Sequence, residues 1–121
     1  MINLIWNKET KAGLNTINSE SGVYVISILF SDGNYHAVNV GASLDIKEKL
    51  EQVFSGKEEN ASLKSFLGTN YDFKISFAYV QKEEIENIKN YLIFRLNPFF
   101  NEKNEKNENN YSCNLPNVEP F

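Results

Sequence analysis

The sequence predicts an α+β fold: a small three-stranded antiparallel sheet flanked by helices, in the order β-β-α-α-β-α. Three observations predict it. Two runs rich in β-branched and aromatic residues, Gly22 to Phe30 and Tyr35 to Val40, are joined by Ser31–Asn34, which holds the Asp-Gly pair of tight hairpins. Apolar residues then recur at helical spacing, at Ile46, Leu50, Val53 and Phe54 and again at Ile85, Ile88, Leu92 and Leu96. A third β-rich run, Phe73 to Val80, lies between the two helical stretches.

Taken in chain order, residues 1–20 read as a lead-in whose Ile2, Leu4, Ile5 and Trp6 pack onto the domain, followed by a turn at Ser19 to Ser21. The run "GVYVISILF" is nearly continuous in apolar character, which marks a central strand covered on both faces. "YHAVNV" is its return strand. Period-two alternation assigns Tyr35, Ala37 and Asn39 to one face and His36, Val38 and Val40 to the other. Gly41 is expected to end the strand. Asp45 with Glu48 resembles a capping pair, so the first helix runs from there to Phe54 or Ser55, with Gly56 as its stop. "NASLKSFL", Asn60 to Leu67, reads as a short second helix. "KEEIENIKNYLIFRL", Lys82 to Leu96, reads as the last helix, with acids in its first turn, Arg95 in its last and Pro98 beyond its end. These elements make a domain over residues 21–100. "NEKNEKNENN", Asn101 to Asn110, is polar and low in complexity and cannot bury apolar area, so residues 101–121 are expected to be a mobile tail, with docking of the apolar residues of "YSCNLPNVEPF" back onto the domain or onto a partner as the alternative.

Composition narrows the function classes. The 121 residues carry 41% apolar and 23% charged side chains, ordinary usage for one globular domain. Cys113 is the only cysteine, which excludes a disulfide framework within the chain and a cysteine-based zinc site. The formal net charge is −4, and residues 1–100 carry 12 acids against 10 bases, which argues against strong non-specific binding of duplex nucleic acid. Eleven of the 12 bases are Lys and 18 residues are Asn, a compositional bias that weighs against reading any single Lys as functional. No apolar run is long enough to span a bilayer, and the N-terminus lacks a basic-then-apolar pattern. The expectation is a cytoplasmic protein with no membrane partner. His36, the only histidine, reads as a surface strand residue, placed by alternation on the face opposite Asn39. Asp32 and Asp45 are accounted for by the turn and the cap, and Cys113 reads as an inert thiol.

The order of elements, with the words they contain, resembles the GIY-YIG endonuclease family over roughly Thr16 to Asn101. "GVY" at Gly22, Val23 and Tyr24 resembles the first motif, and "NVG" at Asn39, Val40 and Gly41, one hairpin later, resembles the second. "GASLDIKEKL" is similar to the passage from the second motif into the helix, and "LIFRLNPFFN", Leu92 to Asn101, to the end of the family's last helix. The departures fall where the family's chemistry resides. Asn39 stands where the resemblance implies a Tyr that helps activate the attacking water, and an amide has no titratable proton. Lys49 stands for the functional Arg and lacks its planar fork. Val53 replaces a His. Lys89 stands for the metal-binding Glu, and an ammonium cannot ligate a divalent cation.

Lys89 also falls within the apolar stripe of its helix, between Ile93 and Leu96 in projection, so that stripe must border a polar cleft. A Glu with its divalent ion has a local charge of about +1, and a Lys alone has the same charge. Lys89 is therefore expected to replace the ion electrostatically without its Lewis acidity. The implied function is a non-catalytic binding or regulatory module that holds phosphate, nucleic acid (DNA or RNA) or an acidic partner among Tyr24, Asn39, Lys47, Lys49 and Lys89, with no cofactor. Two alternatives stay open. One is a divergent endonuclease that recruits Mg²⁺ or Mn²⁺ through Glu86 or Glu48. The other is a protein-interaction domain whose cleft is vestigial.

Overall fold

The computed structural model describes residues 2–56, 61–69, 71–101 and 111–121. The strands are β1 (Asn7–Glu9), β2 (Gly22–Leu29), β3 (Tyr35–Ser43) and β4 (Phe73–Tyr79), and the helices are α1 (Ile46–Phe54), α2 (Ala61–Leu67) and α3 (Ile85–Leu96), with a 3₁₀ turn at Lys11–Thr16. The chain is α+β, with one antiparallel sheet among the described residues. The sheet has four strands in the order β1-β4-β2-β3, not the three expected. The additional strand, "NKE", carries no apolar alternation. It exists because β4 offers an edge, against which Asn7 pairs with Phe77 and Glu9 with Ile75.

β2 lies between β3 and β4, and all its residues but Leu29 are buried, as its continuous apolar run predicts. Each face has its own core. Tyr24, Ile26 and Ile28 face Ile46, Leu50 and Val53 of α1 and Leu63 and Leu67 of α2. Val23 and Val25 face Ile88, Leu92 and Leu96 of α3. Burial of side chains of this size contributes about 1.5–3 kcal/mol each, so two cores sharing one sheet fix the register of β2 from both sides.

Local signals set the helix ends. Asp45 Oδ1 accepts the Glu48 N–H at 3.1 Å, and Gly56 follows α1 with φ +84°. The reciprocal half of the capping pair is absent: the Asp45 N–H donates to Ser43 Oγ, and the Glu48 carboxylate accepts from Gln52. α3 begins at Ile85, three residues later than expected, because residues 82–84 form a turn closed by Glu84 N–H on the Gln81 carbonyl. It ends at Asn97 in the left-handed region, just ahead of Pro98. The described part of the second helix starts at Ala61. Asn60, its expected first residue, lies outside the described residues.

Two features of β3 depart from the expected strand. It continues through Gly41 to Ser43. It also carries a bulge: Ala37 pairs with Ser27 and Asn39 with Ile26, leaving Val38 as the extra residue. The bulge resets the alternation, so that Ala37 and Val40 share the α3 core while Val38 joins the α1 core. Cross-strand partners share a face. His36 opposite Ile28 and Asn39 opposite Ile26 are therefore on the same side, not on opposite sides.

The ends of the chain close over the α3 side. Ile2, Leu4 and Trp6 pack there as expected, but Ile5 is 82% exposed. Residues 111–121 correct the expectation of a loose tail. Cys113 is buried, Leu115 and Val118 pack on the same core, and Cys113 bridges to Ile2. Asn114 accepts the Leu4 N–H at 2.6 Å through Oδ1 and donates to the Leu4 carbonyl at 2.8 Å through Nδ2. The low-complexity stretch 102–110 lies outside the described residues. Among the described residues no helix is long and apolar enough to cross a membrane.

Candidate functional site

β3 is an edge strand, and its outer edge is covered in steps. Glu119 pairs with Tyr35 and Ala37, its N–H donating to the Tyr35 carbonyl at 2.7 Å and its carbonyl accepting the Ala37 N–H at 3.0 Å. The Phe100 N–H then donates to the Val38 carbonyl at 2.8 Å. Beyond it the Asn101 side chain takes both main-chain groups of Val40, accepting the N–H at 2.7 Å and donating to the carbonyl at 2.9 Å. Alternation along an antiparallel strand turns Ala42 outward in the same sense as Val40. Among the described residues this cover stops at Ala42, which lines a cleft of about 270 Å³.

Helices on opposite faces of the sheet bring their side chains to this cleft. Lys49 comes from α1 and Lys89 from α3, with Tyr24, Asn39, Gly41 and Asn101 between them. The ring of Tyr24 is buried in the core and crosses the pairing to Gly41. A Cβ at Gly41 would overlap the phenol, so only glycine admits this tyrosine. Tyr24 is thus both a core aromatic and a wall of the cleft. Asn39 is 9% exposed, and its Nδ2 donates to Asn101 Oδ1 at 3.3 Å. Its amide is engaged in holding residue 101 to the strand.

Lys89 has the position its helical projection implies. Its side chain is 29% exposed and lines the cleft, and its Nζ lies 3.2 Å from Glu86 Oε1. The partner is one turn back on α3 and itself outside the cleft wall, so the ammonium is not stranded in the core. Among the described residues, Lys49 and Lys89 are the charged side chains on the wall, and no carboxylate lines it.

Other expected site residues do not join this cleft. Lys47 and Glu48 line a separate, shallower hollow of about 540 Å³ with Ser19, Asp45, Glu51 and Gln52. The reason is helical geometry: two residues along α1 turn Lys47 about 200° from Lys49. Glu86, one candidate for recruiting metal, is bonded to Lys89, and Glu48, the other, is in the second hollow. Among the described residues no group of three or more His, Cys, Asp or Glu side chains could hold a metal ion. Asn101 is the residue that sequence reasoning did not place in the site. Its position in the closing "FFN" was visible, but its use as a main-chain mimic was not.

Chemically, the described lining offers two ammonium groups, a phenol and two side-chain amides around an outward-facing stretch of main chain, a donor-rich arrangement suited to an anion. Comparison with protein-family models, with curated proteins and with solved structures gives no match.

Proposed function

We propose that the chain is a non-catalytic GIY-YIG-like binding module that holds a phosphate group, in the backbone of a nucleic acid, between Lys49 and Lys89. One observation carries this reading: lysines from helices on opposite faces of the sheet converge on one cleft whose wall, among the described residues, bears no carboxylate. In a chain of net charge −4, a site of this kind selects an anion locally and not through the overall field. The absence of catalysis follows from residue chemistry. An amide at Asn39 has no group that titrates near neutral pH and cannot serve as general acid or base toward the attacking water, and an ammonium at Lys89 cannot ligate a metal or polarise a phosphoryl oxygen as a Lewis acid does.

The test is fluorescence anisotropy with labelled single-stranded DNA, RNA and duplex at low and moderate salt, alongside a plasmid nicking assay with Mg²⁺ and with Mn²⁺. Binding is expected to be weak and to follow salt with a slope of about −1, since one phosphate is neutralised. Lys49→Glu and Lys89→Glu are each expected to weaken it about tenfold or more, the scale of a charge-assisted hydrogen bond of ~1.5–3 kcal/mol. Metal-dependent nicking lost in Glu86→Ala favours the endonuclease alternative. Affinity unchanged by either lysine substitution removes the phosphate from this cleft, and no nucleic-acid binding at all favours a protein-interaction domain.

A further inference from the structure

The strap formed by residues 111–121 ends beside His36, the chain's single histidine. His36 Nε2 lies 2.7 Å from Asp32 Oδ2 in the hairpin turn, and Nδ1 lies 3.1 Å from the Pro120 carbonyl oxygen. A carboxylate and a carbonyl can only accept. A neutral imidazole has one N–H and serves one of them; an imidazolium serves both. We propose that His36 is a proton-operated latch: its imidazolium fastens the end of the strap to the hairpin turn, and loss of one proton releases that end from the edge of β3.

The surroundings favour the charged ring. Phe30 stacks on it with centroids 4.2 Å apart, a face a cation prefers. Asp32 from the turn and Glu119 from the strap are the charged groups that act on it, and both are acidic. Lys74 reaches the strap elsewhere, donating to the Asn117 carbonyl at 2.9 Å while its Nζ lies over the Tyr35 ring. The hydrogen bond to Asp32 raises the His36 pKa above its ordinary 6.5, with burial opposing and the Pro120 carbonyl and Glu119 adding to the rise. Asp32 moves the other way, held below its ordinary 3.8 first by the Asn34 N–H and then by His36. A raised histidine stabilises fully below its ordinary value and loses that contribution as pH rises through the raised value. A lowered carboxylate loses its contribution only as pH falls through the lowered value. The latch is therefore set from mildly acid conditions up to the ordinary histidine value and opens on the alkaline side.

Opening has a defined extent. When Nδ1 loses its proton, its lone pair faces the Pro120 carbonyl and the two repel. The groups next in line are the Glu119 pairing with Tyr35 and Ala37, the Phe121 N–H on the Leu96 carbonyl at 2.9 Å, and the Phe121 ring against Phe30 and Phe99. Asn114, with its double bond to Leu4, is further back along the strap and holds it when the end is free.

A single histidine makes the test direct. The ring nitrogens of the full chain are followed by ¹⁵N NMR across pH, together with amide exchange at Glu119 and Phe121. The expected result is a ring protonated at both nitrogens below a midpoint higher than 6.5, with exchange at both amides stepping up at least about threefold beyond the ordinary base-catalysed slope at that midpoint. Asp32→Asn is expected to lower the midpoint, and His36→Gln to remove the step. A midpoint at or below the ordinary value overturns the latch, and so does exchange that follows the base-catalysed slope through the midpoint without a step. If His36→Gln does not fold, the wild-type titration and exchange decide the matter alone.

Discussion

The side chain of Asn101 bonds to both main-chain groups of Val40, at 2.7 Å to the N–H and 2.9 Å to the carbonyl, and so extends β3 by one rung without a strand. The device recurs where the strap meets the first residues of the chain: Asn114 takes both groups of Leu4, so one amide that imitates a peptide unit joins the two segments.

For Asn101 the consequence is a ranked pair of substitutions. Asn101→Ala removes both bonds to Val40, and with a net contribution of about 1 kcal/mol per bond the expected loss is about 2 kcal/mol. Asn101→Asp keeps the acceptor and loses the donor, so about half that loss is expected, and a carboxylate beside Lys49 and Lys89 moderates it further. Urea titrations with unchanged m-values measure both. Equal losses would mean that the bond to the carbonyl contributes nothing.

Gly41 and Tyr24 form a second coupled pair. Gly41→Ala puts a methyl group into the phenol ring and is expected to cost about 1–3 kcal/mol, the scale of overpacking, although alanine suits a strand better than glycine. In a Tyr24→Leu background the same substitution meets a smaller side chain, so a coupling of at least about 0.5 kcal/mol is expected in the double-mutant cycle. Additive losses in that cycle would show that the ring and the glycine are independent.

Both pairs show what was legible in the sequence and what was not. The hairpin at Asp32–Gly33, the Asp45 cap and the buried run of β2 rest on signals within a few residues, and they were read correctly. β1 was missed because "NKE" becomes a strand only through β4, nearly 70 residues away. The docked strap is only the second choice from sequence because Leu115 and Val118 sit among Pro and Asn with no helical or strand period, so their burial depends wholly on a surface built by other elements. The Val38 bulge inverted the faces assigned to the start of β3, since one extra residue exchanges every side chain on one side of it for those on the other. In the site, Lys49 was placed by the resemblance alone, and Lys89 by the resemblance together with its helical projection. Lys47 was included on sequence proximity, which a 3.6-residue turn does not respect. Asn101 acts through main-chain bonds, and no pattern of residue types announces those.

Glu86 and Lys89 set the strength of the proposed anion site. The carboxylate lies 3.2 Å from the ammonium and competes with a ligand for it. Glu86→Gln removes the competitor while keeping the shape. An exposed ion pair is worth about 0.2–1 kcal/mol, so tighter oligonucleotide binding by up to about fivefold is expected, with little change in folding stability. Anisotropy at low salt reads the affinity, and the gain should shrink as salt rises. Weaker binding in Glu86→Gln would mean that the carboxylate holds Lys89 in its productive position and does not compete.

Cys113 reports on whether the strap stays closed. It is 2% exposed, and burial pushes its thiol up to about 11, with Arg95 nearby pulling weakly the other way. The thiolate is the reacting species, so at pH 8 only about one chain in a thousand carries it, where an ordinary thiol would be about a quarter ionised. Labelling with a thiol reagent in native buffer is therefore expected to run at least about a hundredfold slower than in denaturant. The two sites on the strap should also separate: the latch at His36 lies beyond Asn114, so opening it should speed exchange at Phe121 while Cys113 stays protected. Native labelling at the denatured rate would show that the strap leaves the domain as a whole, and that the Asn114 clamp on Leu4 does not hold it.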